Sequence, residues 1–200
     1  MDAITANVFN VDLTNDPGDF TLTGVSILNG NQGVAVASCQ NLTLRDVVVQ
    51  DAQFRGVEAH IAGHGLVEDC KFVDCAYEGL ILVGMSGVGG QSATVRNVYC
   101  HGNGAGVPLG GIIMHVNYFT SVDVSGNTIC HNELGDQGSA LAVANTTGPV
   151  VENTIVLNLG GSWSVLRSIS STQLSRNIIA SNQGTGIYAC LLYTSPSPRD

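Results

Sequence analysis

The chain has 200 residues, of which 44% are apolar and 12% are charged, so it is long and apolar enough for one domain with a sizeable core. Its formal charge of −9, with Lys71 as the only lysine, argues against a nucleic-acid partner, because such a partner requires a basic surface. No apolar stretch approaches the roughly 20 residues that a membrane-spanning helix needs, so we expect no membrane span.

A repeat begins after residues 1–19, which are predicted to form a lead-in or a partial coil. An apolar residue recurs at intervals of 22 to 29 residues, at Leu22, Leu44, Val67, Val95, Val124, Val150 and Leu174. Five positions after these residues stand Ile27, Val49, Phe72, Cys100, Ile129, Ile155 and Ile179. Asn stands three residues after the first apolar residue in the last three copies, and eight residues after it in the last four.

A second apolar run follows in each copy, usually after a glycine, as in "GVEAHI" from Gly56 and "GIIMHV" from Gly111. Strict alternation of apolar and polar residues predicts short strands, and a repeat of this length is typical of one coil of a parallel β-helix. We therefore predict an all-β solenoid of about seven coils over residues 20–189. The Asn rows fit this fold, because Asn tolerates left-handed corners and stacked amides can hydrogen-bond from coil to coil.

Three segments carry a resemblance to a known superfamily: "GNTICHNELGDQGSALAV" (126–143), "ENTIVLN" (152–158) and "RNIIASNQGTGIYA" (176–189). In these segments the chain resembles the right-handed parallel β-helix, or pectate-lyase-like, superfamily. The resemblance implies a right-handed coil and an exported protein, located outside the cell or on its surface. It also implies a protein that binds polysaccharide or acts on it by hydrolysis, lyase cleavage or epimerisation. The alternative is a non-catalytic spike or adhesin.

The last eleven residues, "CLLYTSPSPRD" (190–200), share nothing with the repeat and resemble the translation of a sequencing-library adaptor. We predict that this segment is an artefact and exclude it from the fold. The accompanying expectation is that the chain is a truncated part of a longer solenoid, whose uncovered ends favour aggregation.

Candidate chemistry concentrates on the second run of each copy. The outward positions there include Glu58, His60 and His115, and aligning Gly56 with Gly111 puts the two histidines in one row, roughly 9.6 Å apart. We predict His60, His115 and Asp123 as catalytic residues, because His and carboxylate side chains perform acid–base chemistry.

The longest insertions, 101–111 and 131–138, fall on the same part of the predicted rod, where solenoids often bind their ligands. We predict Glu58, Tyr118, Glu133 and Asp136 as residues that bind the substrate, with Tyr118 stacking on a sugar ring. The alternative interpretation is an ordinary solvated face with loops.

Other motifs have simpler explanations. The cysteines at positions 39, 70, 75, 100 and 130 lack the spacing of a metal site, and we predict buried thiols, no metal and no cofactor. "GHG" at 63–65 resembles a polygalacturonase motif, but the adjacent Asp pair and the Arg-x-Lys of that family are missing. We therefore interpret His64 as a solvent-facing corner residue and His131 as a turn residue.

Overall fold

The computed structural model describes residues 9–12, 18–87, 89–106, 111–136, 138–160, 164–169 and 172–190. These residues form 22 strands in three parallel sheets, which we call A, B and C, and no helix. Sheet A contains β1 (Phe9–Asp12), β4 (Val34–Cys39), β7 (Val57–Ile61), β10 (Leu80–Gly84), β13 (Ile112–Asn117), β16 (Ser139–Ala144), β19 (Ser164–Ile169) and β22 (Thr185–Cys190).

Sheets B and C have seven strands each. Sheet B contains β2 (Phe20–Thr23), β5 (Leu42–Arg45), β8 (His64–Glu68), β11 (Ser92–Arg96), β14 (Ser121–Ser125), β17 (Gly148–Val151) and β20 (Thr172–Ser175). Sheet C contains β3 (Ser26–Leu28), β6 (Val48–Gln50), β9 (Lys71–Val73), β12 (Tyr99–His101), β15 (Thr128–Cys130), β18 (Thr154–Val156) and β21 (Ile178–Ala180).

The chain passes through the sheets in the order B, C, A and then repeats, which is the path of a parallel β-helix. Seven copies of the repeat make six complete turns between β2 and β20, and the predicted all-β solenoid is confirmed. Within the described part of the chain, no helix is long and apolar enough to cross a bilayer. Apart from Cys190, which ends β22, the segment predicted to be adaptor lies outside the described residues.

The core rows agree with the predicted register residue by residue. The apolar row that starts at Leu22 pairs through all seven strands of sheet B and ends at Leu174. The row that starts at Ile27 pairs in the same way through sheet C to Ile179. These side chains fill the interior together with the inward residues of sheet A, and most of them are fully buried.

Asparagine side chains form two ladders, one at the corner between sheets B and C and one at the corner between C and A. Asn153 shows the pattern: its Nδ2 donates to Asn177 Oδ1 (2.9 Å) and to the Val124 carbonyl (3.0 Å). Its Oδ1 accepts from the Nδ2 (2.8 Å) and the backbone N–H (3.1 Å) of Asn127. The amide therefore uses its full hydrogen-bonding capacity inside the protein.

The predicted hydrogen bonds between stacked amides are thus confirmed, but the predicted left-handed conformation of these Asn residues is wrong. Positive φ occurs one residue earlier in each corner, for example at Glu152 (φ 60°) before Asn153 and at His131 (φ 56°) before Asn132. The left-handed residue turns the chain and stays outside, and the Asn that follows points inward. His131 is therefore a turn residue, as predicted.

Five thiols lie in the interior, as predicted. Cys39, Cys70, Cys75, Cys100 and Cys130 are buried and free. Burial raises the pKa of Cys39 and of Cys70 to about 11, and that of Cys75 to about 12. Cys39, Cys70 and Cys75 therefore stay protonated and act as small apolar side chains.

Replacing Asn153 by Ala should lower the free energy of unfolding by about 2–4 kcal/mol, because it leaves two donors of Asn127 and the Val124 carbonyl buried without a partner. The control is Asn117→Ala, which removes an exposed amide–amide contact with Asn145 and should cost about 1 kcal/mol or less. Urea denaturation measures both values. Equal losses in the two variants would contradict the structural role of the ladder.

Candidate functional site

Two of the three predicted catalytic residues, His60 and His115, lie on the outer face of sheet A, but they do not share a row as predicted. Strand pairing puts His115 in line with Ile81 and Glu58, whereas His60 lies in line with Val83 and Asn117. The prediction that His60 and His115 share a row is therefore wrong. Val57 of β7 and Met114 of β13 both align with Leu80. Gly56 stands one residue before Val57, whereas Gly111 stands three residues before Met114. Aligning the two glycines therefore shifts the predicted row by two residues.

A charged cluster lies where the corner between sheets C and A enters sheet A. Arg55 Nη1 is 2.7 Å from Glu58 Oε2, and Arg55 Nε donates to Glu78 Oε2 at 2.8 Å. His60 Nε2 lies 3.8 Å from Glu58 Oε1. Sequence analysis missed Arg55 and Glu78, although each stands directly before a corner glycine (Gly56 and Gly79) and this shared position was a usable signal.

Ion pairing fixes the charge state of Glu58. Burial by itself would raise the pKa of Glu58, but the hydrogen bond and the charge of Arg55 outweigh it, with help from Gln32, and lower the pKa. Burial would likewise lower the pKa of Arg55, whereas its contacts with Glu78 and Glu58 raise it. Glu58 is therefore an ionised carboxylate that can accept hydrogen bonds but does not hold a proton near neutral pH.

His115 is the half-buried histidine of this face, between Ile81 and Ala142 of the neighbouring strands. Burial lowers its pKa; the charge of Glu78 opposes this shift, and that of Arg167 adds to it. The imidazole is therefore neutral near pH 7 and has a nitrogen that can accept a proton.

The two long insertions meet at an open cleft of about 390 Å³ on the corner between sheets C and A. Its lining is Ala105, Gly106, Glu133, Gly135, Asp136, Leu159 and Gly160. The structure thus brings together Glu133 and Asp136, two of the residues predicted to bind the substrate. Residues 107–110 and 137 of these insertions lie outside the described part of the chain.

An aromatic pair continues the cleft along the rod axis. The rings of Phe54 and Tyr77, on successive coils, have their centroids 4.6 Å apart and are tilted by 60°. Gly106, which lines the cleft, donates its N–H to the Ala76 carbonyl (2.7 Å) and packs beside the Tyr77 ring. We call the aromatic pair and the cleft together the corner groove. It crosses five coils, or about 19 Å at the usual strand spacing.

Two predicted site residues lie elsewhere. Asp123 is on the outer face of sheet B, paired with Thr94, and therefore faces a different side of the rod from His60 and His115. Tyr118 has φ 62° and is 53% exposed at the corner between sheets A and B, at the opposite end of the sheet A strands from the corner groove. Asp123 was separable by sequence, because it directly precedes Val124 of the first apolar row, whereas nothing in the sequence showed at which corner Tyr118 lies.

Among the described residues, no group of three or more His, Cys, Asp or Glu side chains could hold a metal ion. Glu58, His60 and His115 can supply proton transfer and hydrogen bonding. The corner groove offers carboxylates and two half-buried aromatic rings, and the Arg55 guanidinium lies over the Phe54 ring, 4.4 Å from its centroid. These arrangements suit a polar ligand with apolar ring faces.

The coil geometry agrees with one comparison with known proteins. Residues 10–111, about half of the chain, match the model of a family described as the right handed beta helix region. The chain therefore belongs to the right-handed β-helix family, and the resemblance seen in the sequence is confirmed for the fold. No curated protein and no solved structure matches the chain.

The lowered pKa of His115 makes the stability of the protein depend on pH. The unfolded chain binds a proton at His115 at a higher pH than the folded chain does, so stability is complete above the ordinary histidine pKa of about 6.5 and falls as the pH is lowered through that value. We expect His115→Gln to show a smaller loss of unfolding free energy between pH 7.5 and pH 5 than the unmodified protein. Equal losses would show that His115 titrates alike in both states.

Proposed function

We propose that this β-helix binds polysaccharide along the corner groove. The observation that carries the proposal is the continuity of the Phe54–Tyr77 pair with a cleft that contains Glu133 and Asp136. Sugar rings present apolar C–H faces that pack on aromatic rings, and their hydroxyl groups donate hydrogen bonds to carboxylates. The length of the groove supports an extended ligand, and long insertions of solenoids often lie on the binding face.

We further propose that the protein acts outside the cell or on its surface, where it would encounter polysaccharides. The five interior thiols are compatible with this location because all five are buried, and inaccessible thiols resist oxidation.

Chemical turnover, if the bound glycan undergoes it, would use the sheet A residues next to the groove. His115 is suited to accept a proton because its imidazole is neutral, and the ionised Glu58 is suited to orient the His60 imidazole beside it or a sugar hydroxyl. Hydrolysis, lyase cleavage and epimerisation each need such a proton acceptor. Asp123 has no part in this proposal, because it lies on sheet B.

One observation favours the alternative of a non-catalytic spike or adhesin. Arg55 contacts both Glu58 and Glu78, so these three side chains are already paired with one another, as they would be in a purely structural cluster. In that alternative the rigid rod displays its corners to a partner and performs no reaction.

Binding of neutral and charged oligosaccharides by isothermal calorimetry tests the proposal. Tyr77→Ala and Phe54→Ala should each weaken binding about fivefold, because an aromatic stacking contact is worth about 1 kcal/mol. The matched control is Tyr99→Ala, a half-buried aromatic of sheet C that does not line the groove, which should keep the original affinity.

Failure of every oligosaccharide to bind, or an equal loss in the Tyr99 control, would overturn the proposed groove. Binding without any release of product would support the non-catalytic alternative. Product release that is lost in His115→Gln while binding persists would support turnover at sheet A.

A further inference from the structure

A serine and a histidine form a close pair on the rod, away from the corner groove. His64 begins β8 and Ser92 begins β11, and the two residues are paired in register on neighbouring strands of sheet B. The distance from His64 Nδ1 to Ser92 Oγ is 2.8 Å, a full hydrogen bond in an exposed position. A hydroxyl within hydrogen-bond reach of an imidazole is the basic unit of an activated serine nucleophile.

The glycines on either side of His64 hold it in place. A Cβ on Gly63 would lie 2.7 Å from the Gln40 carbonyl oxygen, and a Cβ on Gly65, which is buried, would lie 2.7 Å from Ile61 Cδ1. The backbone N–H of His64 also donates to Asn41 Oδ1 at 2.8 Å. The "GHG" motif therefore packs tightly on both sides while its imidazole stays exposed, as predicted for His64.

Other hydroxyls of the same row show what is particular to Ser92. Ser121 follows Ser92 in register and is itself paired with Thr147, so its neighbours in the row are hydroxyl residues. The Thr147 hydroxyl donates to the Thr120 carbonyl oxygen at 2.8 Å. Ser92 thus differs from Ser121 in having a histidine as its register partner, and Ser121 is a natural comparison for its reactivity.

We propose that Ser92 is a nucleophile activated by His64 and that the pair transfers acyl groups from small esters, such as acetyl esters. His64 Nδ1 takes the proton of the Ser92 hydroxyl while Oγ bonds to the ester carbonyl carbon. The bond from that carbon to the alcohol oxygen breaks, and the alcohol leaves with the proton from His64. Water then attacks the acyl carbon and gives a proton to His64. The bond from that carbon to Ser92 Oγ breaks, His64 returns the proton to Oγ, and the carboxylic acid leaves.

The open position of the Ser92–His64 pair indicates which esters can reach it. Because His64 is exposed and Ser92 is half-buried at the start of their strands, the pair is open to solvent, and the alcohol half of the ester can be part of a large molecule. The proposal does not depend on glycan binding in the corner groove, since it concerns another sheet of the rod.

Labelling of the full chain with a fluorophosphonate probe, followed by peptide mass spectrometry, tests the proposal. Ser92 should be labelled, and His64→Gln should slow that labelling by about 100-fold, because glutamine can hydrogen-bond the hydroxyl but cannot accept its proton. Ser121→Ala should leave labelling of Ser92 unchanged. Hydrolysis of 4-nitrophenyl acetate should follow the same pattern and be lost in Ser92→Ala.

Two results would overturn the proposal: no labelling of Ser92 above that of Ser121 in the unmodified protein, or the same rate at Ser92 with and without the imidazole. Circular dichroism of each variant establishes that the β-helix is retained, and His64→Ala provides a second variant with the same expected loss.

Discussion

A buried asparagine amide that bonds to the coils on both sides of it is the interaction on which the rest of this structure depends. A carboxamide has two donors and an acceptor with two lone pairs, and Asn153 uses all of them across three coils. Because strands of neighbouring coils are about 4.8 Å apart, such an amide fixes both the spacing and the register of the corners. The cleft of the corner groove lies at the corner that holds the ladder of Asn103, Asn132, Asn158 and Asn182, so the spacing of its loops follows from the ladder.

Local sequence pattern was sufficient for the core but not for the corners. The rows through Leu22 and Ile27 were predictable because alternation within a short strand survives insertions elsewhere in the coil. The residues with positive φ were not predictable at every corner, since Glu and Leu rarely adopt positive φ and yet Glu152 and Leu157 do so here. The Asn that the sequence pattern shows stands one position later. His115 was assigned to the wrong row because β13 begins two residues before the position that aligns with the start of β7, so Gly111 and Gly56 are not equivalent.

Assembly of the site needs information that no single coil contains. Glu133 and Asp136 were predictable as a group because both belong to one insertion, whereas Phe54, Tyr77 and Arg55 acquire their role only through contacts with the next coil. The Ser92–His64 pair arises in the same way, from residues separated by 28 positions in the chain. In a solenoid, side chains one repeat apart are neighbours, so function is encoded across repeats and becomes visible once the register is known.

Hydrogen–deuterium exchange of the asparagine side-chain amides, followed by NMR, tests the ladder most directly. The account predicts that the Nδ2 protons of Asn127, Asn132, Asn153 and Asn158, which are buried and bonded between coils, exchange orders of magnitude more slowly than those of the exposed Asn145. Exchange of all five side chains at the same rate would contradict the claim that stacked amides hold the coils in register.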